Sequence, residues 1–336
     1  MPASGFRGPG YPLVAAPALP AAAPAGAADF DAAWATVDSV YPYLGYKGIP
    51  WRALRWSYRL RAVAARGEAA LALLAGLLAE LRDGHVFLRT RGGTTVAPYV
   101  PPRMLRDRRA FSRQVVSRYL ARGARATAGG RFESGMLGQD IGYLYVSAFE
   151  PAGVAAELDE ALAGLRGARS LVVDNRSSVG GSRAEVYRVL GRFIAAPVPG
   201  PEWYTLGERR RWPVIEPDGP VRYTRPVVLL ANGLTFSAAE LFTDLMAQLP
   251  HVTVVGDTTG GGSGGCDDDA TGDYVLPSGI EIRIPTVDGR RADGTPWETV
   301  GVEPDVRVAQ TEQDLRAGRD RQLERALELL GAGARR

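Results

Sequence analysis

PVVLLANGLTFSAAELFTDLMAQLPHVTVVGD, residues 226–257, holds a strand, a helix and a second strand in succession. PVVLLAN is a short apolar run closed by Asn232–Gly233, which reads as a strand buried on both faces. SAAELFTDLMAQL carries apolar residues at helical spacing, and HVTVVGD returns as a strand. Working upstream, IGYLYVSAF (141–149) and SLVVDNR (170–176) read as strands, GVAAELDEALAGL (153–165) and AEVYRVLGRFI (184–194) as helices. Repeated strand–helix–strand units predict an α/β fold whose parallel-containing sheet is joined by crossover helices.

The flanks differ. Residues 29–84 form a small N-terminal helical bundle in this reading. DFDAAWATVDSVYPYL places Phe30, Trp34, Val37 and Tyr41 on one face, and a second helix runs from about Trp51 to Arg66. A third carries Leu71, Leu74, Leu78 and Leu81 at spacings of three and four and ends at the Asp83–Gly84 turn. VFLRT then reads as a short strand. Residues 1–28 are rich in Pro, Ala and Gly. Pro17, Pro20 and Pro24 interrupt any helix there, and only Arg7 precedes the apolar part, so a disordered leader is expected rather than a signal peptide. The α/β core is assigned to 85–310 and the tail to 311–336. YVLPSGIEIRIP is expected to turn as a hairpin at Ser278–Gly279, and QDLRAGRDRQLERALELL to form one terminal helix.

The 336 residues carry 40 Lys and Arg against 37 Asp and Glu, too even a balance for a nucleic-acid surface. Lys47 is the single lysine, and the arginine bias matches a GC-rich genome. No apolar run is long enough for a membrane span. Cys266 is alone, so no internal disulfide and no cysteine cluster for metal is available. A mechanism needing histidine must use His85 or His251.

Four motifs carry chemistry. Ser237 follows a strand and opens a helix. A helix-capping serine would stand there too, but free N–H groups and the positive end of the helix dipole would also stabilise an oxyanion formed at its hydroxyl, with Ala238 supplying one N–H. DNRSSVGGS (174–182) makes a second strand–helix turn, where Gly180 and Gly181 let a ligand approach the backbone. DGH (83–85) offers His85 as a base near neutral pH, although a histidine past a helix end is also ordinary solvated surface. His251, beside Pro250 at the start of a strand, is the poorer candidate. PWETVGVEPDV (296–306) contributes Glu298 and Glu303, either of which would orient an imidazole as the third member of a triad. TTGGGSGG (258–265) lacks the lysine and the Gly-Lys-Ser/Thr ending of a phosphate loop.

In this order the motifs LRDGH, IGYLYVSAF, DNRSSVGG, NGLTFSAAE, VVGDTTGGG and GVEPDV resemble the tail-specific, or C-terminal-processing, serine peptidase family from about Phe30 to Val308. The resemblance implies a ClpP/crotonase-like core, with Ser237 as nucleophile and the N–H groups of Gly181 and Ala238 as the oxyanion hole. One branch of the family uses a lysine within a VVGE-x-T-x-GK-like segment, where this chain has VVGDTTGGGSGG; a Ser–Lys dyad is therefore not expected. The tricorn-like branch uses serine, histidine and glutamate, which match Ser237, His85 and Glu298. That branch has a serine just before its histidine, where Gly84 stands here, so Glu298 is expected to hold the imidazole. The stretch from Val86 to Gln139 is too short for the PDZ domain many members carry. The resemblance implies a peptide or protein substrate and no metal or cofactor. Gly180 and Arg183 are candidate substrate contacts, Arg183 toward a carboxylate. Two other classes share the fold: the interphotoreceptor retinoid-binding proteins, which bind apolar ligands without catalysis, and crotonase-like enzymes acting on thioesters.

Overall fold

The computed structural model describes residues 14–15, 25–121, 123–150, 153–205, 208–211, 214–262, 264–265, 272–291 and 294–332. The chain folds into two compact units whose limits do not follow a cut at His85. Unit 1 takes Met1–Pro101, Glu202–Arg211 and Gly264–Pro296; unit 2 takes Pro102–Pro201, Trp212–Ser263 and Trp297–Arg336.

Unit 1 is built on α1 (Ala25–Val40), α2 (Trp51–Ala64) and α3 (Gly67–Ala79). The expected apolar stripes form its core. Phe30 and Val37 of α1 and Leu74, Leu77 and Leu78 of α3 are buried with Leu81, while Trp34 and Leu71 pack at its margin. Trp34 and Trp51 tie α1 to the start of α2 by donating each indole N–H to the other's carbonyl, at 3.2 and 3.1 Å. Helix α1 begins four residues before Asp29, and Val14–Ala15 (β1) is a strand within the expected leader; the remaining residues of 1–24 lie outside the described residues. β1 joins a sheet with β2 (Phe87–Arg89), β3 (Thr95–Val96), β12 (Asp273–Val275) and β13 (Glu281–Arg283), in the order β1-β12-β13-β2-β3. The β12–β13 hairpin turns at the expected place, with Gly279 at φ 81° donating its N–H to Leu276. A second sheet has the order β14-β8-β9, from β8 (Glu202–Thr205), β9 (Glu208–Arg211) and β14 (Val287–Arg290).

Unit 2 has a seven-stranded mixed sheet in the order β15-β11-β10-β7-β6-β5-β4. Its strands are β4 (Arg125–Ala126), β5 (Phe132–Leu137), β6 (Ile141–Val146), β7 (Ser170–Asp174), β10 (Val227–Ala231), β11 (Val252–Gly256) and β15 (Val306–Arg307). β6, β7, β10, β11 and β15 run parallel, while β4 and β5 are antiparallel additions. Every residue of β7 and β10 is buried, which follows from a parallel sheet covered on both faces. Crossovers are made by α6 (Val154–Gly164), α7 (Arg183–Leu190) and α8 (Ala238–Ala247), and two short helices, α4 (Pro102–Asp107) and α5 (Arg113–Ser117), precede β4. This is the expected α/β class with crossover helices and a helical N-terminal region.

The tail corrects one expectation. The single helix over 313–330 is broken: α9 (Glu312–Arg316) ends before Gly318, at φ 76°, and α10 (Arg321–Leu327) starts afresh. Glycine adopts that left-handed conformation without steric cost, and the Asp320 carboxylate caps the new helix by accepting from Leu323 N–H at 3.0 Å. A π turn, Glu328–Ala332, closes the described chain. Among the described residues no helix is long and apolar enough to cross a membrane.

Candidate active site

The loops after the carboxyl ends of β7, β10 and β11 carry the site residues of unit 2, where parallel sheets bind ligands. The 232–237 loop is held to the 175–182 loop: Thr235 Oγ1 donates to the Asn175 carbonyl at 3.0 Å, and Phe236 N–H to Ser178 O at 3.1 Å. The chain then enters α8 through Ser237 at φ 60° and ψ −130°, outside the extended region of an ordinary N-cap. Such a backbone costs on the order of 1–3 kcal/mol for a residue with a side chain and needs surrounding structure to enforce it. Ser237 is partly exposed, while Phe236, Ala238 and Ala239 are buried.

Gly180 is part of that enforcement. A Cβ there would stand 2.7 Å from Ser237 Cβ and 2.8 Å from Ala238 N, so only glycine permits the two turns to approach this closely. Gly181 pairs in parallel with Phe149: Phe149 N–H donates to Gly180 O at 2.8 Å and Ser182 N–H to Phe149 O at 2.7 Å. That pattern turns Gly181's own N–H away from Phe149. Among the described residues, neither the Gly181 nor the Ala238 N–H donates a hydrogen bond. Two unspent amides beside a hydroxyl at a helix N-terminus form a donor pattern suited to an oxyanion. Arg183, partly exposed, opens α7 just past the glycine pair.

Sequence reading missed Glu240. It is buried, and among the described residues its carboxylate accepts from Thr259 Oγ1 at 2.5 Å, Gly261 N–H at 2.7 Å, Gly262 N–H at 2.6 Å and Ser237 N–H at 3.3 Å. The glycine-rich loop thus cradles an anion that is the protein's own, the Glu240 carboxylate. Thr259 passes the connection on, its Oγ1 accepting from Val302 N–H at 2.7 Å. Thr299 N–H donates to Gly261 O at 2.8 Å, so the 297–303 loop also rests on the cradle. Glu298 in that loop is 1% exposed, whereas Glu303 is exposed and faces Arg307 at 3.8 Å. Of the two candidate carboxylates, Glu298 is the buried one. The S-x-x-E spacing of Ser237 and Glu240 was a readable capping-box signal, but its reach to residues 259–262 was not.

Arg176 was missed as well. Fully buried, it contacts Asp174 at 2.7 Å and Asp320 at 2.9 Å and lies over the Phe111 ring. Burial would lower its pKa, but the two carboxylates hold it well above the ordinary arginine value. The cluster fixes the root of the 175–182 loop and docks α10 beneath it.

His85 belongs to unit 1. Its side chain is 15% exposed, and Nδ1 lies 3.6 Å from Oδ1 of the fully buried Asp83. Asp83 Oδ1 also accepts the His85 backbone N–H at 2.8 Å, and Oδ2 accepts from Tyr41 Oη at 2.8 Å. Lys47 stands 3.5 Å from Oδ2 and donates to the carbonyls of Leu81 and Arg82, at 3.0 and 3.1 Å. Burial pushes the Asp83 carboxyl up, but the His85 imidazole and the Lys47 ammonium outweigh it and hold the group well below the usual carboxylate range. The single lysine therefore serves the loop before His85. His251 precedes β11, and burial lowers its pKa. Unit 2 gathers Ser237, Gly180, Gly181 and Ala238 at adjoining turns and carries Glu298 in a loop tied to them through Glu240; His85 is carried by the other unit.

The model of peptidase family S41 matches residues 140–308, just over half of the chain and all three of these loops. The chain belongs to peptidase family S41. Tricorn protease homolog 1 of Streptomyces coelicolor is 32% identical over 196 residues, 57% of this S41 chain, which spans only 17% of that relative's length. A solved structure from Parabacteroides merdae assigned as a peptidase aligns with a TM-score of 0.78 and 26% identity, over 92% of this chain and 97% of that one. Mature CPAF complexed with lactacystin aligns with a TM-score of 0.68 at 13% identity, over 91% and 97% of the two chains, a likeness of fold. The S41 match covers Ser237 and Glu298 and begins after His85.

Proposed function

We propose that this S41 chain is a serine peptidase that hydrolyses peptide bonds through an acyl-enzyme, with Ser237 as nucleophile, His85 as base and Glu298 as the triad carboxylate. The observation that carries the reading is the Ser237 turn: a strained serine at a helix N-terminus, packed on Gly180, beside the undonated amides of Gly181 and Ala238. Likeness to the Streptomyces tricorn homolog and to the Parabacteroides structure supports it. Ser237 Oγ attacks the peptide carbonyl carbon while its proton passes to His85. The carbonyl oxygen becomes an oxyanion that accepts from Gly181 and Ala238. Collapse of the tetrahedral intermediate breaks the C–N bond, and His85 returns the proton to the leaving amine. Water then repeats the sequence on the ester, again through His85, and frees Ser237. Arg183 and the Gly180 backbone are proposed contacts to the peptide, Arg183 through a substrate carboxylate.

The test is covalent labelling by a fluorophosphonate, followed by peptide turnover. Wild-type protein should be labelled at one site, and Ser237→Ala should lose both labelling and turnover. Ser237→Ala protein that still labels would refute the assignment. His85→Ala should lower the labelling rate without loss of the fold.

A further inference from the structure

Gly84 stands where the resembling branch has the serine that helps hold its histidine, and the residue before it is a buried carboxylate. We infer that Asp83 is a positioning residue for His85: its carboxylate charge, 3.6 Å from Nδ1, favours the imidazole tautomer with the proton on Nδ1 and the Nε2 lone pair as the base. The inference rests on His85 being the base in the proposed reaction and adds a second carboxylate to the one assigned to Glu298.

A neutral imidazole carries one proton, and the group facing each nitrogen decides where it sits. Asp83 Oδ1 is held by the His85 backbone N–H at 2.8 Å and faces Nδ1 of the same residue at 3.6 Å. Gly84 between them leaves this two-residue turn without a side chain. On the far side Tyr41 Oη donates to Oδ2, and the Lys47 ammonium stands 3.5 Å away. Lys47 itself donates to Tyr41 Oη at 2.8 Å and to the carbonyls of Leu81 and Arg82, just past α3. It also lies over the rings of Tyr41 and Tyr43, at 5.5 and 5.6 Å. Among the described residues the titratable and charged groups at the carboxylate are thus Tyr41, Lys47 and His85, and the cation on the Oδ2 side favours its ionised form. A buried carboxylate with this much support has a reason to remain charged, and the group it faces outward is an imidazole.

Asp83→Asn is an informative change because the cation selects the amide's orientation. Donors stand on both sides, Lys47 and Tyr41 at Oδ2 and the His85 backbone N–H at Oδ1, and the amide has one oxygen. With that oxygen kept toward the cation, the NH₂ group opposes the His85 backbone N–H and faces Nδ1 with a donor, which demands a lone pair there. The proton then moves to Nε2 and the base is lost. The chain has two histidines, so the imidazole nitrogens of ¹⁵N-histidine-labelled protein can be assigned by NMR against His251→Gln. At a pH where His85 is neutral, the wild-type protein should show Nδ1–H, and Asp83→Asn should show Nε2–H. Fluorophosphonate labelling of Asp83→Asn should fall about 10²–10⁴-fold at pH 7, with Asp83→Glu recovering part of it. A wild-type Nε2–H tautomer, or a tautomer unmoved in Asp83→Asn, overturns the inference. Should Asp83→Asn not fold, the wild-type spectrum alone decides. The tautomer is read without turnover, so failure here is distinguishable from failure of the peptidase reading, which Ser237→Ala tests.

Discussion

Replacing Glu240 by Gln changes one atom at the centre of unit 2 and leaves the side chain's shape. The carboxylate's Oε1 accepts from Thr259 and Gly261, and Oε2 from Gly262 and Ser237. Glutamine keeps one oxygen, so its NH₂ must face two donors on the other side. A hydrogen bond to a charged group contributes about 1.5–3 kcal/mol, and the 3.3 Å contact to Ser237 lies at the weak end. Losing one oxygen's pair and weakening the other predicts a cost of about 2–4 kcal/mol. Glu240→Ala would leave these donors unmatched, about 4–6 kcal/mol after relaxation, a large part of the 5–15 kcal/mol typical of a folded protein. Glu240→Gln is therefore the usable variant. Urea unfolding followed by tryptophan fluorescence should show a lowered midpoint with an unchanged m-value. Labelling of Ser237 should slow at least about 10-fold, since small displacements of a reacting group are costly. A Glu240→Gln protein within 1 kcal/mol of wild type and labelled at the same rate would refute the cradle as a determinant of the site.

Gly180→Ala would force a Cβ against Ser237 Cβ at 2.7 Å in a residue at φ 95°, so labelling should fall and stability drop by about 2–4 kcal/mol in urea titration. Gly164→Ala, in α6 with open space around it, should instead be neutral or slightly stabilising in the same titration. Arg176→Met should cost about 3–5 kcal/mol by leaving the Asp174 and Asp320 carboxylates buried without their cation, measured by the urea midpoint. Asp83's carboxyl is held below its ordinary value of 3.8, so its contribution to stability is complete above that pH and is lost as the pH falls toward its folded-state value. Acid titration of Asp83→Asn should show a shallower loss of stability below pH 3.8 than wild type.

The sheet was legible because its signal is local. The apolar runs of β6, β7, β10 and β11 and the helical stripes of α1 and α3 each report burial within one element. Gly180 and Gly181 were legible as positions needing glycine, and both adopt positive φ, at 95° and 139°. The terminal helix was misread because apolar spacing continues across Gly318, and periodicity does not register a backbone that turns left-handed. Glu240, Arg176 and Asp83 were not legible as site residues. A buried charge in a sequence looks like any surface charge until its partners are known. Those partners are 19–22 residues away for Glu240's loop, 144 for Arg176 and Asp320, and 36–42 for Asp83 with Lys47 and Tyr41.

By itself, the sequence determined which residue types were on offer: Ser237 at the opening of a helix that follows a strand, two histidines, and one lysine outside any dyad motif. Tertiary structure decided what those residues mean. It set Ser237 at φ 60° against a glycine, buried Glu298 rather than Glu303, spent the glycine-rich loop on Glu240, and put Lys47 to work on the carboxylate beside His85. The physical reason is that strand and helix preferences act between near neighbours along the chain. Hydrogen bonds, desolvation and charge pairing instead act between groups that only folding brings together.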